Sequence, residues 1–535
     1  MAFVKLLWYN LSMEKREPTN ETITISKEEY ENLKKEISDL NDLNNWYREQ
    51  LETLKKNRFG SKSEHASNEV EGQLCFLFDE PEVYAYLEET LEKETTVAEH
   101  TRAVKKDRKF IIDTIPEGTS VVRTEHGLSD DERICPNCGS LMDVIGSKTI
   151  KSLEIKPAEF IVHEDIYYTY ACKKCESGSN LSTTIKETEH EPSFYPGSYA
   201  SPSLVSHLMV QKYVMGSPLY RMEKEFERQG YNLSRQTMSN WMIYGSETWL
   251  KPIYDKLHEI LLKEPILHAD ETTLQVLNEP GRKAQSKSYM WCYLSGKCST
   301  KPIVLYEYCP GRGSKYPAEF LKGYKGYLQT DGYSGYDILT DVTHVGCFAH
   351  LKRKFHDAVG VLPKGQKAGT AVEGEAYCTK LLRLEEDFKD LSIDERYQKR
   401  LELSKPILDE FFKWGLTRNA SSKSKLGVAL TYLKNNMKEL SAYLSDGRLE
   451  ITNNRAERSI KMFVIDRKNF LFANTPKGAT SGAVTFSIIQ TAKANGLDPF
   501  RYLTYIFENA PKLIKSDPNW VEQLLPENVP DFCKA

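Results

Sequence analysis

Residues 267–276 read LHADETTLQV, a run of strand-forming Leu, Thr and Val interrupted by two adjacent acids, Asp270 and Glu271. An isolated Asp in such a place ordinarily ends the strand or bonds its own backbone. The reading changes if other carboxylates stand in equally unusual settings. KGYLQTDGYSGYDIL, residues 325–339, places Asp331 at the end of a second apolar strand, although Asp-Gly is also a turn dipeptide. With SYMWCYLSG and KPIVLYEYC between them, these segments read as a mixed α/β block in which Asp270 and Asp331 end adjacent strands. Paired carboxylates so placed offer the hard oxygen ligands of a magnesium site and leave positions for phosphate and water.

A third carboxylate comes from ITNNRAERSIKMFVIDRKNFLF, residues 451–472, which carries Glu457 on a helix. The same residue has a purely structural reading, since Asn454 with Glu457 fits a capping box and Glu457 with Lys461 fits a helix ion pair. Around it Arg455, Arg458, Lys461, Arg467 and Lys468 make a local basic patch suited to phosphate contacts. Between the second and third acids, HVGCFAHLKRKFHDA adds Cys347, His350 and the cluster Lys352, Arg353, Lys354. A Cys-x-x-His pair without two further ligands is weak evidence for zinc, so His350 reads as a neighbour of the acidic site.

The remaining chain is long enough to require several domains, at 535 residues. A net charge of -4 gives no global attraction to nucleic acid, which leaves binding to local patches. No apolar run approaches the roughly 20 residues that cross a bilayer, and FVKLLWY at the amino terminus has no cleavage pattern, so the expectation is a cytosolic protein. Met13 is an alternative start. A Ser26-x-x-Glu29 capping box opens a helix whose seam runs Tyr30, Leu33, Ile37, Leu40, Asn44, Tyr47, Leu51, Leu54. That is heptad spacing, and Asn44 on the seam suits a dimerising coiled coil, the alternative being an amphipathic helix packed on its own chain. The stretch that follows, RFGSKSEHAS onward, is acidic and poorly periodic and reads as linker.

The eleven cysteines do not suggest a disulfide framework. Cys135 and Cys138 in CPNC, and Cys172 and Cys175 in CKKC, stand 33 residues apart and aim two thiolate pairs at one tetrahedral ion. A redox dithiol does not explain two motifs. Four ligands leave no open position, so this zinc is expected to be structural, in a ribbon whose hairpin includes EFIVHEDIYYTYAC. Next, PLYRMEKEFERQG and NLSRQTMSNWMIYG read as two helices about a glycine turn. In a helix-turn-helix, Arg235, Gln236, Ser239 and Asn240 would face a DNA groove; in an ordinary helical hairpin they are a solvated face.

Taken in order, RFGSKSE, CPNCGS with YACKKCE, KYVMGSPLYRMEKEFERQGYNLSRQTMSNWM, HADET, LQTDGYSGY, GCFAHLKRKF, NNRAERSIKMFVIDRKNFLF and TAKANGLDPFRYL resemble a TnpC-type transposase of the insertion-sequence-66 family. The resemblance runs from the coiled coil nearly to the carboxyl terminus, and only residues 1–12 depart from it. It implies a multidomain α/β protein with a ribonuclease-H-like core of the DDE class and Asp270, Asp331 and Glu457 as its acidic triad. The implied cofactors are two magnesium ions, or manganese in their place, beside the structural zinc. The C-x-x-H element, with His350, also resembles one found in several DDE families.

The implied boundaries are a coiled coil at 24–60, an acidic linker at 61–105, a zinc ribbon at 106–190 and a helix-turn-helix-like helical domain at 195–262. The catalytic domain follows at 263–495, with a helical insertion at about 365–447, and a helical tail at 496–535. The implied partners are the element's double-stranded terminal repeats, target DNA, a second copy of the chain or a higher oligomer, and accessory proteins of the element. The implied setting is the bacterial cytoplasm, at the nucleoid. Two alternatives stay open on sequence: a DNA-binding regulator without catalysis, and a metal-dependent nuclease that cuts without joining.

Overall fold

The computed structural model describes residues 191–362 and 368–535, and before them residues 29–32, 34, 160–171 and 185–187. The coiled-coil seam with Asn44, the linker and the four cysteines Cys135, Cys138, Cys172 and Cys175 lie outside the described residues; residues 29–32 and 34 are helical and exposed. The chain forms two compact units, 61–189 and the remainder. In the first, β1 (Thr169–Ala171) pairs antiparallel with β2 (Ile185–Glu187), Tyr170 opposite Lys186. Among the described residues of EFIVHEDIYYTYAC, strand is confined to the last three.

The second unit opens with four helices. Ser201 caps α1 (Pro202–Tyr213) by accepting the Leu204 N–H at 3.2 Å, with Pro202 in the first turn, where its missing donor does no harm. After α2 (Leu219–Arg228), Gly230 takes a left-handed φ of +88°, a conformation that glycine adopts without a steric penalty. Ser234 then caps α3 (Arg235–Gly245) through the Thr237 N–H. A π-helical turn, Ser246–Leu250, carries this helix on into α4 (Lys251–Leu261). The extra residue in that turn aims Ser246 at the Ser481 carbonyl and the Trp249 indole at the Phe194 carbonyl, each at 3.0 Å.

The sheet follows as β3 (Ile266–Gln275), β4 (Lys287–Ser295) and β5 (Val304–Cys309), then α5 (Lys315–Phe320), β6 (Tyr327–Gln329) and β7 (Thr343–Val345). Its order is β5-β4-β3-β6-β7, with β3, β4 and β5 antiparallel and β6 and β7 parallel to β3. The start of β3, Ile266 to Ala269, is fully buried, as expected for a central strand covered on both faces. Next come α6 (Phe348–Val359), α7 (Thr370–Asp387), α8 (Ile393–Lys399), α9 (Lys405–Thr417), α10 (Lys425–Asn435) and α11 (Met437–Ser441). Phe355, Leu381, Phe411, Leu430 and Leu433 make their common core.

The chain then returns to the sheet with α12 (Asn454–Phe470), α13 (Pro476–Ala494), α14 (Pro499–Ser516) and α15 (Trp520–Gln523). α13 covers the free edge of β5, where the Ser487 and Thr491 hydroxyls accept the Tyr306 and Val304 N–H groups at 2.7 and 3.0 Å. An edge strand left open would be a template for another chain; here two helix side chains close it. Among the described residues no helix is long and apolar enough to cross a membrane.

Candidate active site

The two acids of HADET serve different faces of β3, because neighbouring strand residues point to opposite sides. Glu271 is a buried structural anion: Arg312 donates Nε to its Oε1 at 2.7 Å and the Tyr336 hydroxyl donates to its Oε2 at 2.9 Å. Burial and Asp331 push its carboxyl above the usual range, and Arg312 and Tyr336 oppose them. Arg312 also stacks on the Tyr333 ring at 3.7 Å. Asp270 faces the other way. Burial first, then Glu271 and Asp331, raise its carboxyl well above the ordinary range, and only the Glu271 N–H, at 2.8 Å, opposes them.

Parallel pairing of His268 with Gln329 places Asp270 and Asp331 level with one another two residues on. Asp331 is also a turn residue: its Oδ1 accepts the Tyr333 N–H at 2.9 Å, and Gly332 takes φ +87°. The turn expected of Asp-Gly is therefore present at this position. Its backbone carbonyl accepts the Tyr432 hydroxyl at 2.9 Å, so α10 steadies the end of β6. Among the described residues neither Asp270 nor Asp331 is in an ion pair.

α12 lies over β3 and is fastened at both ends. At its start Asn453, fully buried, donates Nδ2 to the Ala269 carbonyl and presents Oδ1 to His268 Nδ1, both at 2.9 Å. That amide orientation makes His268 Nδ1 the donor, and His268 Nε2 meets Glu450 at 3.2 Å. At the other end Arg467 donates to the Thr272 and Thr273 hydroxyls at 3.3 and 3.1 Å. Between these points Glu457 faces Asp270, whose carboxyl it helps to raise. Asn453 is the N-cap and its side chain makes no cap bond, so the capping box expected of Asn454 and Glu457 does not form; the amide is taken up by β3 instead.

Glu457 Oε1 lies 3.4 Å from His350 Nδ1, and Oε2 3.7 Å from Arg353 Nη2. Neither Glu457 Oε1 nor His350 Nδ1 has a hydrogen-bond partner of good geometry. Burial holds the imidazolium form of His350 down, against Glu457 and Asp331. Ligand atoms of Cys347, His350 and Glu457 come within 4.8 Å of one another. The Cys347 thiol is buried, pushed up to about 12 by burial, and accepts the Asn453 N–H at 3.1 Å. It acts as a protonated acceptor that holds the start of α12. The carboxylate oxygens of Asp270, Asp331 and Glu457 are hard ligands of the kind that hold a divalent cation.

Asn453→Ala would leave the His268 N–H and the Ala269 carbonyl without partners. At about 1–3 kcal/mol for each buried unsatisfied group, a loss of roughly 2–6 kcal/mol is expected. Chemical denaturation checks this, and a variant within about 0.5 kcal/mol of the parent would show that the fastening does not matter.

Lys352, Arg353 and Lys354 are half-buried beside the site, with Lys354 over the Tyr432 ring at 5.0 Å. The structure divides the basic residues of α12: Arg458 and Lys468 are exposed, whereas Arg455 and Arg467 turn inward. Arg455 meets Glu450 at 3.5 Å and the Ser295 carbonyl at 3.3 Å. A helix of this length presents basic residues on several faces, and packing on β3 and β4 takes two of them. On α3, Arg235, Gln236 and Asn240 are exposed and Ser239 is half-buried; the Arg235 N–H is held by Glu223 at 2.9 Å, and Gln236 bonds Asn240 at 3.0 Å. Sequence reasoning missed Arg312, Tyr336, His268 and Asn453. The glycines around Arg312 and the doubled Asn in NNRAERS were visible signals, but their partners were not.

The model described as Transposase IS66 family matches residues 197–481, a stretch that contains all three acids. The zinc-finger binding domain of transposase IS66 matches 132–176, the IS66 C-terminal element matches 487–526, and a model described as transposase C of IS166 homeodomain matches 46–118. Uncharacterized protein y4jD of Sinorhizobium fredii (strain NBRC 101917 / NGR234) is 30% identical over 422 residues, 75% of this chain and 79% of that one. Uncharacterized protein y4qI of the same strain is 29% identical over 473 residues, 85% and 84% of the two chains.

Proposed function

The chain belongs to the transposase IS66 family, and from that premise we propose that it cuts the ends of its insertion sequence and joins them to target DNA in a magnesium-dependent reaction. The observation that carries this is the proximity of Asp270 to Asp331 and Glu457, each of which helps to raise its carboxyl, one from the turn after the neighbouring strand and one from the helix across β3. The sheet order β5-β4-β3-β6-β7, with three antiparallel strands and two parallel to the first, supports a ribonuclease-H-like core.

Asp270, Asp331 and Glu457 would hold the divalent ions, with Asp270 between the other two. Bound magnesium supplies a nucleophile at neutral pH and stabilises the leaving oxyanion. The protein's own part is placement. Asn453 and Arg467 hold Glu457 over β3, and Arg312 neutralises Glu271, so that only the opposite-facing acids are left for cations. His350 stands within reach of Glu457 as a proton carrier or orienting group. No covalent enzyme intermediate is needed.

Arg235, Gln236, Ser239, Asn240, Lys352, Arg353, Lys354, Arg458, Lys461 and Lys468 would contact DNA. The amino-terminal helix would pair two protomers so that both ends are held at once. Accessory proteins of the element would join this assembly, and its setting would be the nucleoid in the bacterial cytoplasm. The test is incubation with end DNA, magnesium and a target plasmid. Cut ends with joined products support the proposal, cut ends alone leave a nuclease, and binding without cutting defeats catalysis.

The zinc-finger match encloses both Cys-x-x-Cys pairs. One zinc per chain is expected, held by Cys135, Cys138, Cys172 and Cys175 and lost in Cys135→Ser. Elemental analysis of protein purified without chelator checks this; a metal-free parent would refute it.

A further inference from the structure

Where the end of α12 meets the β3–β4 hairpin there is a cavity of about 420 Å³, walled by Arg467, Lys287, Thr273, Gln275 and Leu471 among others. That volume falls within the roughly 300–1,000 Å³ of small-ligand sites. Its described walls carry two cations and no carboxylate. Arg467 is the unusual member. A guanidinium keeps its charge in a protein and, when withdrawn from water, is ordinarily paired with an acid; this one, half-buried, meets the hydroxyls of Thr272 and Thr273. Burial depresses its pKa, as expected of a cation short of compensation.

The walls are fixed before any ligand arrives. Glu279, buried, accepts from Ser288 Oγ and Arg282 Nη1, both at 2.5 Å, and from the Tyr308 hydroxyl, which locks the hairpin. Across from it the chain leaving α12 is bonded to the end of β3, Ala473 N–H to the Gln275 carbonyl at 2.9 Å and Leu277 N–H to the Ala473 carbonyl at 3.0 Å. Leu471, on the lip, takes φ +66° and is 63% exposed, a left-handed backbone and an outward side chain that a leucine seldom combines.

We infer that this cavity is an anion site which receives one backbone phosphate of the bound DNA, with Arg467 and Lys287 as its cations and Thr273 as a neutral donor. The inference rests on the reading of the chain as a DNA-processing enzyme and adds to it a built phosphate contact at the far end of the helix that bears Glu457. Free phosphate has the same chemistry, and the test separates the two sources.

Binding of the full chain to an element-end duplex and to a scrambled duplex is measured across a salt series, for the parent, Arg467→Gln and Lys287→Ala. Each variant should weaken both duplexes alike and lower the slope of log affinity against log salt by about one. Lys287 is exposed at the start of β4, so its variant keeps the test alive if Arg467→Gln fails to fold. Slopes equal to the parent's in both variants overturn the inference. Inorganic phosphate that raises the parent's melting temperature but not that of Arg467→Gln, with duplex slopes unchanged, assigns the cavity to free phosphate and overturns the backbone contact. Cleavage is scored separately on the parent. Lowered slopes without cleavage sink the catalytic reading and keep the cavity, whereas cleavage with unchanged slopes does the reverse.

Discussion

Glu457→Gln is expected to abolish cutting and joining while the fold and DNA binding stay close to those of the parent. The side chain's own contacts explain why stability should survive. His350 and Arg353 stand at 3.4 and 3.7 Å, part-exposed pairings of the kind that contribute about 0–1 kcal/mol. α12 is held instead by Asn453 and Arg467, which the substitution does not touch. Glutamine keeps the shape and removes one charge from a crowded acidic site, which if anything relieves Asp270. What it removes is an anionic oxygen for a divalent ion, and a lost electrostatic contact at a reacting centre costs on the order of a thousandfold in rate. The measurements are end-duplex affinity, melting temperature and product yield with magnesium. Cleavage at close to the parent's rate would take Glu457 out of the site.

A large loss of stability is expected from Arg400→Met. Arg400 is 1% exposed and gives its guanidinium to Glu385, through Nε at 2.8 Å and Nη2 at 2.6 Å, and to the carbonyls of Tyr443, Asp446 and Leu449 at 2.9, 2.9 and 2.8 Å. Methionine fills much of the volume but leaves the Glu385 carboxylate and three carbonyls without a donor. Breaking a buried pair from one side costs about 3–5 kcal/mol, which should lower the melting temperature by on the order of 10 °C. Replacing Glu385 by Leu in the same chain removes the stranded charge, so the double variant should regain part of the loss. A double variant as unstable as the sum of the singles would mean that the two residues act independently. The carbonyl of Leu449 lies just ahead of Asn453, so activity should fall with stability in the single variant.

The three acids stood out in the sequence because each stands where a neutral residue would pack better; of their expected places, Asp270 lies inside β3, which runs on to Gln275, rather than at its end, Asp331 follows β6, and Glu457 falls in the first turn of a helix rich in basic residues. The helical insertion was legible from its composition and periodicity, both local properties. What stayed hidden was pairing at long range. Glu271 beside Asp270 gave no sign of its partner, since Arg312 lies 41 residues on, in a loop whose course depends on β4 and β5. The five basic residues of α12 could be counted but not sorted, because sorting them requires knowing which face meets the sheet. Asn454 and Glu457 matched a capping pattern, yet the cap fell one residue earlier and its amide went to a strand.

The fastening of α12 to β3 also has a temporal meaning. Ala269 and Asn453 are separated by 184 residues. At ribosomal speeds of about 5–20 residues per second, the strand with the first acid is made roughly 10–40 s before the helix that completes the site. For about the first third of that interval the nascent chain has Asp270 without Asp331, and for all of it Glu457 is missing, while α7 to α11, which share a core of their own, are being made. On the proposed function, a chain terminated within the insertion would lack the third acid of its site and would be inactive.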